Sequence, residues 1–243
     1  MKFLILCLVL TFASAELCAS DSILLLETGA LWQERNDVRI PSSTGTLVGF
    51  DEYNSGPFFH YRFELHHPFN HRHGIRVIYA PLGLSVTGRE SRAVNYNNVI
   101  FTANTPTTID YKFNSYRLGY TYRVWGEDKS FLRLGLTGKI RQASIRFTQN
   151  SLTTIYDNVG FVPLFYYALQ VPLSGKWTFY SDSDFAFAKQ GRAVDITFKL
   201  RYGITGSSSI GFGARALEGG ADNDKVLTYT FVKYAVLDFT LAW

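Results

Sequence analysis

His60 and Ser115 are residues whose types fit acyl-transfer chemistry: an imidazole base beside a hydroxyl nucleophile, with a carboxylate to orient the ring. The bland alternative for His60 is a hydrogen-bonded interior histidine. Glu218 and Asp222 are candidate carboxylates, in the segment Glu218-Gly219-Gly220-Ala221-Asp222-Asn223-Asp224. That segment could also offer oxygen ligands to calcium on a flexible turn. Its spacing is not that of an EF-hand loop, and Gly-Gly and Asp-Asn-Asp are ordinary turn chemistry. His66, His67, His71 and His73 crowd one segment and could chelate zinc or nickel through imidazole nitrogen. They surround Pro68 and Asn70, as residues of a turn would, with no carboxylate or cysteine adjacent. The sequence holds no phosphate-binding glycine loop, zinc-ligand spacing or G-x-S-x-G elbow, and no cofactor or resident metal is expected.

What must position these residues is a set of strands. Residues 192–204 alternate Val194, Ile196, Phe198, Leu200, Tyr202 and Ile204 with Asp195, Thr197, Lys199, Arg201 and Gly203. Similar alternation recurs over 22–33, 57–66, 110–124, 131–147, 159–171, 177–187, 208–217 and 226–243. Residues 74–86 are apolar on both faces, so their orientation stays open. That makes ten strands. In a soluble sandwich the apolar face would be the core; in a membrane barrel it meets lipid, and the charged face lines the interior.

Two further features favour the barrel. Aromatic residues make up 16% of the chain, as interfacial girdles require. The last segment places Leu227, Tyr229, Phe231, Ala235, Leu237, Phe239, Leu241 and Trp243 on one face, a barrel-closing strand ending on an aromatic. Residues 1–15 read as a secretory signal: Lys2, a short apolar run too short to span a bilayer, and the cleavage site Ala13-Ser14-Ala15. Residues 16–243 are then the barrel domain. Cys18 would remain as a lone thiol, so no internal disulfide is expected. A net charge of +4 and pI near 9.0 could suggest nucleic acid, but the basic residues lie scattered singly, which excludes it.

Connection lengths set the orientation. The connections at 67–73, 125–130, 172–176 and 205–207 are short, like periplasmic turns. Those at 34–56, 87–109, 148–158, 188–191 and 218–225 are mostly longer, as external loops are. Residues 97–103 could add a short strand, and twelve strands is the alternative count. Arg35, Asp37, Arg192, Glu218, Asp222 and Asp224 then fall on the outer rim as candidate binding residues. Lys233, on the lipid face, falls at the outer interface, where a lysine can snorkel or meet lipopolysaccharide phosphate.

The inward positions hold Glu27, Arg62, Glu64, Arg117, Arg123, Arg133, Lys139, Arg141, Asp182, Asp184, Asp195, Lys199, Arg201, Arg215 and Asp238. Charges this dense away from bulk water must pair. A salt-bridged plug is the first expectation. A narrow anion-preferring pore is the alternative, because inward bases outnumber inward acids.

The stretches Arg35-Asn36-Asp37-Val38, Lys112 to Arg117, Asn158 to Pro163 and Glu218 to Asp224 resemble those of a family of uncharacterised Gram-negative outer-membrane β-barrel proteins. The resemblance spans most of the chain and implies a barrel in the bacterial outer membrane, with no catalytic residue to carry over. Trp243 departs from the more usual terminal Phe. The chain also shares the architecture of the omptin proteases, although it is short for one, and it lacks the His-x-Ser motif of the lipid A deacylases. Expected partners are outer-membrane lipid, lipopolysaccharide and, through the last strand, the barrel-assembly machinery, with the barrel a monomer. A structural, envelope or surface-binding role leads; a rim enzyme acting on lipid or lipopolysaccharide, or a channel, is the alternative.

Overall fold

Alternating apolar and polar residues rich in Val, Ile, Phe and Tyr favour a pleated strand with two unlike faces, and such strands make up this molecule. A computed structural model describes residues 21–188 and 191–243. The signal segment 1–15, Cys18 and Gln190 of the fourth external turn lie outside the described residues. The strands are β1 (Ile23–Arg39), β2 (Val48–Gly49), β3 (Phe58–Pro68), β4 (His73–Ala80), β5 (Gly83–Gly88), β6 (Val94–Tyr96) and β7 (Val99–Phe101). They continue as β8 (Thr107–Gly126), β9 (Phe131–Gln149), β10 (Leu152–Pro172), β11 (Trp177–Ala188), β12 (Gly191–Gly203), β13 (Ser208–Asp222) and β14 (Leu227–Ala242).

Every pairing is antiparallel, each barrel strand lies beside its sequence neighbour, and β14 closes on β1 from Ile23↔Ala242 to Arg39↔Leu227. β4 and β5 both pair with β8 and form one stave, broken at Pro81, which has no N–H for a ladder. The result is a closed all-β barrel of ten staves. β2 pairs only with β1, and β6–β7 is a separate hairpin. The extra strand expected within 97–103 is thus part of a hairpin off the barrel wall, and the count is ten rather than twelve.

The strands run further than their sequence pattern suggested. Residues 148–158, expected as an external loop, are mostly strand: β9 and β10 continue to Gln149 and Leu152 and meet in a tight turn with Asn150 at φ 53°. The pattern hid this because it inverts along the strand. In the lower part of β9, Leu132, Leu134, Leu136 and Ile140 point outward and Arg133, Thr137 and Lys139 inward. In the upper part, Gln142, Ser144 and Arg146 point outward, while Ile145 and Phe147 are buried inside. β8 inverts at the same level, between Ser115 and Phe113. The apolar outer band ends where this inversion occurs.

Above the inversion the lumen is filled by a conventional apolar core. Leu31, Val38, Ile109, Tyr111, Ile145, Phe147, Leu217 and Val232 pack with Val48 and Phe50 of the first external loop and Tyr96 and Phe101 of the β6–β7 hairpin. The Tyr96 ring stacks on Phe147 at 3.9 Å, and its hydroxyl donates to the Ile145 carbonyl at 2.9 Å. Burial pushes the Tyr96 phenol well above the ordinary tyrosine range. The first and second external excursions therefore fold inward over the barrel mouth.

Candidate functional site

Below the apolar core the lumen is ionic. On strands the inward positions fall every second residue, so charges at positions such as Asp182 and Asp184 share one face and meet residues from across the barrel. Arg201 lies 3.2 Å from Asp238, and Asp238 lies 2.8 Å from Lys199. Lys199 also pairs with Glu27, which is 3.2 Å from Arg215. Arg215 reaches Asp195 at 2.6 Å, and Arg117 bridges Asp195 and Asp184 at 2.5 and 2.6 Å. Arg76 joins Asp184 at 2.5 Å and approaches Glu64 and Asp182 at 3.8 Å, and Arg62 joins Glu64 at 2.6 Å and Asp182 at 3.5 Å.

The chain of contacts is continuous. Six cations (Arg62, Arg76, Arg117, Lys199, Arg201, Arg215) meet six carboxylates (Glu27, Glu64, Asp182, Asp184, Asp195, Asp238), all buried and summing to zero charge. The members come from every stave except β9 and β10. Neutral side chains complete it: Thr137 donates to Asp184 at 2.8 Å, and the Arg76 guanidinium lies 3.6 Å over the Tyr166 ring.

Arg76 is the member that sequence reasoning missed. It lies in the segment apolar on both faces, whose orientation stayed open. Arg76 is the sole charged residue from Gly74 to Gly88, and a charge on a membrane strand belongs in the lumen, which was the available signal. The three inward cations of β9 stand apart. Arg133 lies over the Phe131 ring at 3.9 Å, Arg141 donates to Asn158 at 2.7 Å, and Lys139 lies 4.8 Å from the Phe113 ring centre. Arg123 pairs with Asp128 at 2.9 Å.

His60 and Ser115 are both buried and line one small cavity with Arg117, Arg215 and Tyr234. No hydrogen bond joins them. The Ser115 hydroxyl accepts from Arg117 Nε at 2.9 Å, and the His60 ring meets Tyr234 edge-on at 4.8 Å. Glu218 and Asp222 are elsewhere: Glu218 lies on the outer face of β13, and Asp222 is exposed at its end. The four candidates for acyl chemistry are therefore not one constellation.

The rim candidates divide. Arg35, Asp37, Arg192 and Glu218 converge around Tyr229, which the sequence reading did not single out as a site residue. Arg35 Nε contacts Asp37 at 2.5 Å, and its guanidinium lies 4.6 Å from the Tyr229 ring centre. Arg192 stands 5.5 Å from the same ring, donates to its hydroxyl at 3.1 Å and pairs with Glu218. Tyr229 donates to Glu218 at 2.6 Å. Both arginine side chains remain more than half exposed, at 57% and 53%. Lys233 pairs with Glu34 across the closing seam at 3.1 Å. Asp222 and Asp224 do not join the cluster. Among the described residues no group of three or more His, Cys, Asp or Glu side chains gathers as a metal site. Of the clustered histidines, His66 contacts Thr121 at 3.0 Å, His67 contacts Ser22 at 2.8 Å, and His73 contacts Tyr120.

No family model matches the chain, and no curated protein matches it. Several solved structures do. Ail, the attachment invasion locus protein of Yersinia pestis, is 12% identical with a TM-score of 0.41, over 90% of this chain and 100% of that one. The outer membrane protease OmpT from Escherichia coli is 9% identical with a TM-score of 0.47, over 95% and 99%. The transport unit of the autotransporter AIDA-I from Escherichia coli is 8% identical with a TM-score of 0.47, over 97% and 94%. Likenesses at this level transfer no activity.

Proposed function

We propose that the chain is an integral outer-membrane β-barrel that conducts no ions and serves a structural or surface-binding role. The observation that carries this is the neutral, buried network of six cations and six carboxylates across the lumen. A pore for anions needs unpaired positive charge along a wet path; here the lumen cations of eight staves are matched, and the outer mouth is filled by apolar side chains. The apolar outer band of the strands supports the membrane location. So does the resemblance to a family of outer-membrane barrels in the stretches that include Arg35 to Val38 and Glu218 to Asp224. The protein is exported with loss of residues 1–15, assembles through its last strand and acts as a monomer.

The surface-binding part of the role rests on the rim. Arg35 and Arg192, exposed beside Tyr229, with Lys233 nearby, offer charge-assisted donors to phosphate at the level of lipopolysaccharide head groups. Purified barrel in planar bilayers tests the main reading. The expected result is a silent membrane; stable unitary conductance with anion preference would replace the plug with the channel.

A further inference from the structure

The barrel wall is incomplete between β10 and β11. β9 pairs with β10 along its whole length, from Leu152↔Gln149 to Gln170↔Phe131. β11 pairs with β10 only from Phe165↔Phe185 to Pro172↔Thr178. Continued register would set Leu164, Pro163 and Val162 opposite Ala186, Phe187 and Ala188, and no such pairing forms. Pro163 has no N–H to give a ladder. Outward side chains of β10 stay apolar up to Val159, and Asp157 follows. The gap therefore begins below the polarity inversion, at the depth of the outer lipid leaflet.

A cleft of about 780 Å³ runs through this gap, within the roughly 300–1,000 Å³ of small-molecule sites. Its walls include outward Phe161 and Phe165 and inward Ile145 and Leu217, so it joins the apolar outer surface to the lumen. Lys139 is at its inner end, 3% exposed, with no salt bridge and no hydrogen bond among the described residues. Arg141 also lines the cleft, and among the described residues its hydrogen-bond partner is the neutral Asn158. Glu218 and Arg192 border it too, but they pair with each other. Among the described residues no carboxylate lies within salt-bridge distance of Lys139, and those of the network are engaged by other cations. A buried cation without a counter-charge is costly, and an anion delivered through the cleft removes that cost.

We propose that this cleft takes a single-chain anionic amphiphile from the outer leaflet, with its head group against Lys139 and Arg141 and its acyl chain passing Phe161 and Phe165 through the open seam into lipid. The proposal rests on the membrane reading above. The unpaired cations select the head, and the apolar walls select the chain.

The test uses the full barrel in phosphatidylcholine nanodiscs with palmitate, lysophosphatidylglycerol and neutral monopalmitoylglycerol as probes. Saturable binding of one anionic probe per barrel is expected, with monopalmitoylglycerol at least ~10-fold weaker, about 1.4 kcal/mol. K139Q should weaken palmitate by ~10-fold or more, as loss of a charge-assisted contact does. A186F, which narrows the gap at the β11 edge, should abolish binding without touching the cations. Whichever anionic probe binds tighter identifies the head group, and either supports the proposal. Absence of a saturable site, equal binding of the neutral probe, or indifference to both variants would overturn it. Co-flotation of the detergent-purified barrel after reconstitution with liposomes separates the two readings: a barrel that floats but binds no anionic probe loses the cleft alone, and one that fails to float loses the membrane.

Discussion

Asp195→Asn is the most demanding perturbation of the lumen. Asp195 accepts from Arg215 through Nε at 2.6 Å and Nη2 at 2.7 Å, and from Arg117 Nη2 at 2.5 Å. The amide keeps the shape, removes the charge and turns an N–H₂ group toward guanidinium donors. Both arginines are buried, so neither recovers its loss in water. Breaking a buried ion pair by removing one partner costs about 3–5 kcal/mol. With an m-value of about 3 kcal/mol/M in urea, the unfolding midpoint falls by roughly 1–1.7 M. The assay is urea unfolding of the barrel in lipid vesicles, followed by tryptophan fluorescence and by the fraction that migrates as folded on unheated gels. Asp157→Asn, on the exposed outer extension of β10, is the control and should stay within about 0.5 kcal/mol. A shift under ~0.3 M for Asp195→Asn at unchanged m, or one equal to the control, would refute the claim that the network holds the barrel together.

Arg76→Ala removes a cation that reaches Asp184, Glu64 and Asp182, so the urea midpoint should fall by roughly 1 M or more while bilayer recordings stay silent, because the apolar mouth is intact. Gly29→Val should lower the folded yield sharply, because Gly29 has φ +152° and a Cβ there would strike the Ala235 carbonyl oxygen across the closing seam. Arg35→Ala with Arg192→Ala should weaken retention of lipopolysaccharide on the purified barrel by ~10-fold or more while leaving thermal stability nearly unchanged, since exposed pairs contribute about 0–1 kcal/mol. Burial and then Glu90 push the Tyr53 phenol upward, and burial raises that of Tyr96, so both favour the folded state below pH ~10. An ultraviolet titration should place Tyr53 and Tyr96 among the late-ionising tyrosines, each lost from that group on substitution by Phe, with the outer loops loosening only as pH climbs past the ordinary tyrosine range.

Much of the wall was legible in the residues themselves. Val194 to Ile204 alternates so regularly that strand, facing and membrane depth all follow from it, and β12 occupies 191–203. Where the environment changes along one strand, the pattern breaks. Residues 74–86 looked two-sided because β4 carries the apolar outer band and β5 turns its apolar side chains inward to the outer core, with Pro81 between them. The same change hid the upper half of β10, where outward Thr153, Ile155 and Asp157 lie above the apolar outer band. The inward charges could be named one by one, but not who pairs with whom: Glu27 and Lys199 are 172 residues apart, and closure alone brings them together. Rim residues Arg35 and Glu218 meet for the same reason, through Tyr229 on the last stave. The β10–β11 gap had one local sign, Pro163, which by itself marks only a missing donor.

Glu27 sits on the first stave and makes its ion pairs with residues of the twelfth and thirteenth strands, while Lys199 reaches on to Asp238 of the last. On the membrane reading proposed above, an unfinished sheet would carry these charges into the bilayer unpaired, which is costly. On that reading the network favours insertion and closure together. A nascent barrel stalled before its last stave docks on the first would expose these charges, and the ion ladder would then serve as a completion check during biogenesis as well as a brace afterwards.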